Sequence, residues 1–179
     1  MKISYRKSAF VLLFPLLASL LAGCAWQKTL KDRVAVYGHR NWIVVADSAY
    51  PKQSNPGIET VQTGSSQIEV LKAVLKEIEG APHVQAVVML DSELDSVTEA
   101  DAPGVEAYRA ELKKLLAHKQ VKVMQHEKII RELDEGAKLF NVLLLKSDMT
   151  IPYTSVFIQL DCGYWDAEKE ARLRKALKK

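Results

Sequence analysis

The sequence predicts an α/β protein, a layered sheet with helices, because short apolar runs typical of buried strands alternate with amphipathic segments typical of helices. The 179 residues are 48% hydrophobic and 26% charged, with eight glycines and six prolines, which is the balance of one globular domain. This composition excludes low-complexity disorder and a collagen-like repeat. Two cysteines allow at most one disulfide, so a disulfide scaffold is excluded as well.

The first 23 residues have the layout of a secretory signal, with a cationic start from Met1 to Ser8 and an apolar run from Ala9 to Ala22. A membrane-spanning helix takes about 20 apolar residues, and this run is shorter and is interrupted by Pro15, so a permanent anchor is the weaker alternative. We expect a signal peptide at 1–23 and a single domain at 24–179. A C-terminal helical extension is expected at about 164–179.

A cysteine follows this leader directly. Leu21-Ala22-Gly23-Cys24 resembles the lipobox of bacterial lipoproteins, in which the cysteine thiol carries a diacylglycerol. The resemblance implies that Cys24 is lipidated and that the protein is anchored in a bacterial cell envelope. Since Ala25 rather than Asp follows the cysteine, the expected place in a Gram-negative cell is the periplasmic side of the outer membrane. Several acyl chains hold a domain on a bilayer stably.

The net charge of +3 comes from the leader. Three of the 25 Lys and Arg residues lie in the first eight positions, and no Asp or Glu occurs before Cys24. Without the leader, 22 basic residues face 22 acidic ones, and the formal charge is zero. Proteins that bind nucleic acid usually carry a basic excess or stripe, so we expect no nucleic-acid partner.

The first half of the domain predicts two buried strands and two helices. Trp42 to Ala46 is a continuous apolar run, as in a strand buried on both faces. Ser66 to Glu69 has the spacing of a capping box, and apolar residues then recur at helical intervals up to Gly80. Val84 to Leu90 predicts a second buried strand, which an acidic connection links to a helix that Pro103 starts.

The second half continues the alternation of strands and helices. In order, the patterns predict a strand at Val121 to Met124, a helix at His126 to Lys138, an apolar run at Phe140 to Leu145, an alternating strand at Thr154 to Leu160 and a charged helix from Asp166 to Lys179. Asp166 has the position of the N-cap of that last helix.

Two of the four histidines are candidates for chemistry. His39 precedes the first strand and His126 follows a later one, and binding and catalytic side chains concentrate at such boundaries. From spacing alone, a purely structural role for each of these two histidines is as well supported as a binding or catalytic role. His83 beside a proline and His118 at a helix end have ready structural explanations.

Asp47 ends the first apolar strand, where open α/β sheets tend to bind ligands. The alternative is that it caps the turn leading to Pro51. At about 3.3 Å per residue, the strand places Asp47 roughly 16 Å beyond its start. Asp47 therefore shares a pocket with His39 only if the chain bends back or if another subunit supplies one of the two.

The segment from Pro152 to Val156 enters a strand through a proline and presents Tyr153 and Ser155 at its mouth. A tyrosine combines an apolar face with a hydroxyl, which suits a sugar ring. A Pro-Tyr pair alone is more often a packed strand end.

These segments together resemble the RbsD/FucU family of sugar mutarotases from about residue 28 to residue 163. The resemblance is carried by Gly38-His39-Arg40-Asn41 followed by the strand to Asp47-Ser48-Ala49-Tyr50-Pro51, then Gly57-Ile58-Glu59, His126-Glu127, Pro152-Tyr153-Thr154-Ser155-Val156 and Gly163. It implies a compact α/β domain with a mixed sheet flanked by helices, which assembles into homo-oligomeric rings with the site near subunit boundaries.

The resemblance also implies the site residues and the reaction. His39 would be the proton donor, and Asp47, His126, Tyr153 and Ser155 would bind a monosaccharide whose ring opens and recloses. Ser155 stands where the family has Asn, and Asn41 stands where relatives often have Asp. Ring opening demands no metal and no organic cofactor.

Two other functions stay open at this stage. The protein could be a non-catalytic lipoprotein that keeps the fold for binding a monosaccharide or for assembly, which the Ser155 departure favours slightly. A metal site made by His39, Asp47, His126 and Cys162 is the weakest alternative, because no two of these residues have the close spacing typical of metal ligands.

Overall fold

The computed structural model describes the backbone of residues 14–177 and the side chains of residues 25–177. The cationic start of the leader and the side chain of Cys24 therefore lie outside the described residues. Within the described part, none of the helices is both long and apolar enough to span a bilayer. The signal peptide and the lipidation site stay predictions from the sequence.

Six strands form one mixed sheet in the order β2-β5-β1-β6-β3-β4. Strand β6 runs antiparallel to both of its neighbours, β1 and β3, and every other pair is parallel. The bounds are β1 Trp42–Ala46, β2 Ile58–Gln62, β3 Val84–Asp91, β4 Gln120–Met124, β5 Val142–Lys146 and β6 Val156–Cys162. This mixed sheet with flanking helices confirms the predicted fold class.

Five helices flank the sheet: α1 Phe14–Val36, α2 Gln67–Glu79, α3 Val105–Leu115, α4 His126–Ala137 and α5 Ala167–Leu177. Helices α1, α2 and α3 pack their apolar residues on one face of the sheet, and α4 packs Ile129, Leu133 and Ala137 on the other. A short 3-10 turn, Ser92–Ser96, follows β3. No residue of α5 is buried along its described length.

The predicted elements are present, and their limits differ for physical reasons. Ser66 and Glu69 form the capping box of α2 as expected. Helix α3 begins at Val105 rather than at Pro103, because Gly104 adopts a left-handed φ of 93° just before it. The carboxylate of Glu99 accepts hydrogen bonds from the backbone N–H groups of Gly104 and Glu106 and so caps this helix.

Helix α1 beyond residue 24 and strand β2 were not predicted. Trp26, Leu30 and Val34 recur every four residues in α1 and are buried on the sheet, which is an ordinary helical pattern. Strand β2 lies at the edge of the sheet, and of its side chains only Ile58 is buried, so its apolar signal is weak. Glu59 of β2 accepts a 2.6 Å hydrogen bond from Arg33 of α1, which ties the two elements together.

The strand directions create two distinct edges. Strands β1 to β5 all end at one edge, which we call the carboxyl edge, and β6 begins there because it runs the other way. The opposite edge, where β1 begins and β6 ends, is the amino edge. Residues that follow β1, β3 and β4 and residues that precede β6 are therefore neighbours in space.

Candidate functional site

Four of the five predicted site residues gather at the carboxyl edge. Asp47 follows β1, His126 begins α4 directly after β4, and Tyr153 and Ser155 precede β6. Asp91, which is the last residue of β3, joins them. Because β1, β6, β3 and β4 are consecutive in the sheet, these side chains line one continuous stretch of the edge.

Asp47 and Ser155 are joined directly across β1 and β6. The Ser155 hydroxyl donates to Oδ2 of Asp47 over 2.8 Å and accepts from the Asp47 backbone N–H over 3.2 Å. Oδ1 of Asp47 accepts from the Ala49 backbone N–H over 2.9 Å, so Asp47 also forms the Asx turn considered from the sequence. The carboxylate is thus fixed in place and half-buried, which suits a group that orients hydroxyls.

His126 is held by two carboxylates. Its Nδ1 lies 3.0 Å from Oδ2 of Asp91, whose side chain has no exposed surface. Its backbone N–H donates to both carboxylate oxygens of Glu93, each over 3.1 Å. The ring and the start of helix α4 are therefore fixed together, and 31% of the His126 side chain stays exposed.

Two aromatic rings pack against the imidazole of His126. The Tyr153 ring contacts it edge-on at a centroid distance of 5.7 Å, and the Phe157 ring lies at 6.4 Å. Tyr153 adopts a φ of 58°, in the left-handed region that a tyrosine rarely occupies, and its side chain is 40% exposed. An exposed tyrosine next to a fixed imidazole gives the edge one apolar wall with polar groups beside it.

Asp91 is in an unfavourable place for a charge. Burial raises the pKa of its carboxyl to about 6, and repulsion from Glu93 and Asp47 acts in the same direction. The hydrogen bond and the charge of His126 act the other way but do not offset burial. Its second oxygen, Oδ1, is buried without a hydrogen-bond partner among the described residues.

A buried polar cluster supports the edge from behind. Gln67, the first residue of α2, is fully buried, and its amide donates to the carbonyls of Val45 over 2.9 Å and Thr154 over 2.7 Å. The hydroxyl of Ser147 donates to the Gln67 carbonyl oxygen, and Tyr108 of α3 donates to the Thr154 carbonyl over 2.8 Å. These bonds connect the ends of β1 and β5 to the segment that carries Tyr153 and Ser155.

The remaining predicted residue, His39, lies at the amino edge, in an exposed turn before β1. All of β1 separates it from Asp47, about 16 Å at the rise of an extended strand. Cys162, at the end of β6, is also at the amino edge, so one chain does not gather the four residues of the metal alternative. Within the described residues, no group of three or more potential ligands is placed to hold a metal.

The fold and the cluster together define a class of protein: a mixed α/β domain with a group of polar side chains at the carboxyl edge of its sheet, where open α/β sheets tend to bind ligands. The model of the RbsD / FucU transport protein family matches residues 26–158, and the chain belongs to this family. No match was found among curated proteins.

The fold is shared with solved structures, of which two are compared here. RbsD of Bacillus subtilis, solved in complex with D-ribose, is 15% identical, with a TM-score of 0.51 over 88% of this chain and 98% of that one. FucU from Bifidobacterium longum is 18% identical, with a TM-score of 0.52 over 75% of this chain and 92% of that one. At these identities the comparison shows the common fold.

Sequence reasoning missed Asp91 and Gln67. Asp91 ends an apolar strand just as Asp47 does, and Val87, Met89 and Asp91 alternate toward the face covered by α4, so the same pattern would have found it. Gln67 gave no signal, because a glutamine in the first turn of an amphipathic helix is normally exposed.

Replacing Gln67 tests the supporting cluster. We expect Gln67→Met to lower the free energy of unfolding by about 2 kcal/mol, because buried carbonyls lose their donor while the side-chain volume is nearly kept. Urea denaturation measures this, with Gln85→Met as the control, since Gln85 is exposed and donates a single hydrogen bond. Equal stability of both variants would contradict the role of Gln67.

The raised pKa of Asp91 predicts a pH-dependent stability. The folded protein binds this proton more tightly than the unfolded chain, whose carboxyl titrates near 3.8. The stabilisation from Asp91 is therefore fully present below about pH 4 and is lost as the pH rises through 6. The Asp91→Asn side chain stays neutral, so the unfolding free energy of this variant should rise relative to that of the wild type between pH 4 and 7.

Urea denaturation at several pH values measures this gain. Asp95→Asn, in the exposed part of the adjacent turn, is the control and should follow the wild-type curve. If the difference in unfolding free energy between Asp91→Asn and the wild type were constant across this range, the fold would not raise the pKa of Asp91.

Proposed function

We propose that the protein is a sugar mutarotase that opens and recloses the ring of a free monosaccharide. Membership in the RbsD/FucU family supports this, and so does one observation above all: Asp47, His126, Tyr153 and Ser155, which the family resemblance assigns to the sugar, meet at one edge of the sheet. The D-ribose bound to the B. subtilis relative makes a small aldose the substrate to test first.

The reaction needs two proton transfers. The anomeric hydroxyl loses a proton as its oxygen becomes a carbonyl, the bond between the anomeric carbon and the ring oxygen breaks, and the ring oxygen takes up a proton. Rotation about the bond next to the carbonyl and the reverse transfers then give the other anomer, or another ring size if a different hydroxyl attacks. Positioned acid–base groups typically accelerate such steps 10²- to 10⁴-fold.

The residues of the carboxyl edge suit this chemistry. The fixed carboxylate of Asp47 accepts hydrogen bonds from sugar hydroxyls, and the Tyr153 ring offers an apolar surface to the face of the sugar. The imidazole of His126 can take up a proton and give it back. Ser155 is engaged with Asp47, so it acts on the sugar through the position of that carboxylate.

The proton donor His39 would come from a second copy of the chain. Its place at the amino edge keeps it from the site of its own subunit, and a neighbouring copy whose amino edge meets the carboxyl edge would complete the pocket. Head-to-tail contacts of this kind form a ring when the rotation that relates neighbouring copies closes. The proposed active form is therefore a homo-oligomeric ring with sites between subunits.

A non-catalytic sugar-binding protein is the second candidate. The observation in its favour is that one chain presents the binding residues without His39. This candidate predicts saturable binding of a monosaccharide with no faster exchange of its anomers.

Removing His39 tests catalysis. We expect His39→Ala to lower the rate of anomer exchange about 100-fold or more, because the ring oxygen loses its proton donor. NMR exchange spectroscopy on D-ribose, fucose and related free sugars measures the rate after subtraction of the spontaneous exchange. His118→Ala, which removes an exposed imidazole elsewhere, should match the wild type. Equal exchange in His39→Ala and the wild type would contradict the proposal.

Mixing two inactive variants tests the shared site. His39→Ala and Asp47→Asn subunits, unfolded together and reassembled in equal amounts, should regain about one quarter of the wild-type activity, because that fraction of interfaces pairs an intact His39 with an intact Asp47 from the other chain. If each site belonged to one chain, no mixed interface would be complete and no activity would return.

We further propose that Cys24 carries lipid and tethers the domain to the envelope membrane. The apolar leader and the small residues before the cysteine support this proposal. In a bacterial host, Cys24→Ser should move the protein from the membrane fraction to the soluble fraction, because the acyl chains supply the attachment. Cys162→Ser, which leaves the leader intact, should remain with the membrane, and an unchanged distribution of Cys24→Ser would contradict the anchor.

A further inference from the structure

We infer that Asp91 and His126 form a proton-transfer pair, in which His126 exchanges the proton of the anomeric hydroxyl through Nε2 and Asp91 is the positioning residue that holds its Nδ1. This inference rests on the proposed function and deepens it, since the family resemblance assigns His126 only to binding and assigns no role to Asp91.

The geometry of the pair distinguishes the two ring nitrogens. Oδ2 of Asp91 lies 3.0 Å from Nδ1, so the carboxylate accepts the proton on Nδ1 and Nε2 is the nitrogen left for a ligand. The Asp91 side chain is completely buried, whereas about a third of the His126 side chain is exposed. A ligand at the edge thus reaches the imidazole and not the carboxylate behind it.

The backbone makes this orientation rigid. Glu93 holds the N–H of His126, which is the first residue of α4, and the ring is packed against Tyr153 and Phe157. A protonated imidazole at a helix N-terminus is unfavourable because of the helix dipole. The carboxylates of Asp91 and Glu93 offset this effect, so the site tolerates a transient positive charge on the ring.

Asp91 lacks the features of a purely structural carboxylate. Such groups are normally hydrogen-bonded at both oxygens when buried, whereas Oδ1 of Asp91 has no partner among the described residues. Burial also raises the pKa of its carboxyl, so the fold holds the charged form at a cost. A costly buried carboxylate in contact with an accessible imidazole is an arrangement that enzymes use for acid–base chemistry.

The proton transfers balance within the pocket. Nε2 takes the anomeric proton while the ring oxygen is protonated from the other side, by His39 of a neighbouring copy under the proposed function. The imidazole carries the extra positive charge next to Asp91. On reclosure Nε2 returns its proton to the carbonyl oxygen, and the newly closing hydroxyl gives its proton back to His39.

The experiment compares Asp91→Asn with Asp95→Asn in the full chain. Asparagine keeps the shape of the side chain but removes the charge and can present its NH₂ group to Nδ1. We expect kcat for anomer exchange to fall at least about tenfold in Asp91→Asn with little change in KM, because binding groups are intact and proton transfer is not. Asp95→Asn should have the wild-type kcat.

The pH profile separates positioning from simple loss of structure. The titratable groups around the ring are Asp91 and Glu93 behind it, Asp47 across β6, and Tyr153 against it. Removing the Asp91 charge disfavours protonated imidazole, so the inflection of the kcat profile should move to lower pH in Asp91→Asn. A purely structural defect would lower kcat at every pH without moving the inflection.

Two further measurements extend the test, and the first of them needs no Asp91 variant. Nitrogen-15 NMR of the histidine rings should show the Nδ1–H tautomer for neutral His126, identified by the signal that His126→Asn removes. In addition, His126→Asn and the double variant Asp91→Asn/His126→Asn should lose the same factor in kcat, because Asp91 acts only through His126.

The outcomes separate the two proposals. If the wild type exchanges sugars no faster than the buffer, both the proposed function and this inference are overturned. If the wild type is active, the inference alone is overturned by any of three results: a wild-type kcat in Asp91→Asn, an unmoved pH profile, or a double variant slower than His126→Asn. A reduced kcat, a moved profile and equal single and double losses support the pair.

Discussion

The antiparallel strand β6, inserted between β1 and β3, is the feature on which the site depends. In a wholly parallel arrangement, the segment before β6 would lie at the amino edge, far from the ends of β1 and β3. Because β6 runs the other way, it begins at the carboxyl edge, where β1 and β3 end. Tyr153 and Ser155, which precede β6, therefore lie beside Asp47 and Asp91. One strand direction thus converts residues distant in sequence into neighbours that share hydrogen bonds and ring contacts.

Stable packing behind the carboxyl edge lets the chain keep energetically unfavourable groups at that edge. Gln67, Ser147 and Tyr108 donate hydrogen bonds to backbone carbonyls at the buried strand ends. In front of them the chain keeps a buried carboxylate with one unpartnered oxygen and a tyrosine with positive φ. Arg40, next to His39, is the other non-glycine residue with positive φ in the described part of the chain. Local strain of this kind persists where the surroundings enforce it, and it occurs often at functional sites.

Most of the fold could be predicted from the sequence because its central strands are continuous apolar runs and α2 has a complete capping box. The edge strand β2 was missed because only Ile58 of its residues is buried. The resemblance supplied Asp47, His126, Tyr153 and Ser155 as candidate site residues, which the structure brings together, but no local pattern identifies Gln67, whose partners lie on three different strands or loops. The contact between His126 and Asp91 follows from the pairing of strands. Asp91 of β3 lies opposite Met124 of β4, so His126, two residues after Met124, is close to Asp91.

The separation of the two imidazoles gives the proposed enzyme a particular dependence on assembly. His126 and the carboxylate of Asp91 lie together within one subunit, whereas His39 lies at the amino edge, away from the other candidate site residues of its own subunit. A free subunit would then bind sugar at a half-equipped site, and catalysis would begin only when two copies meet. Confining the chains to a membrane surface raises their local concentration and thereby favours that meeting. The proposed lipid anchor and the proposed divided site would then be connected: tethering would promote the contact that the reaction requires, even without any direct effect of the membrane on the sugar.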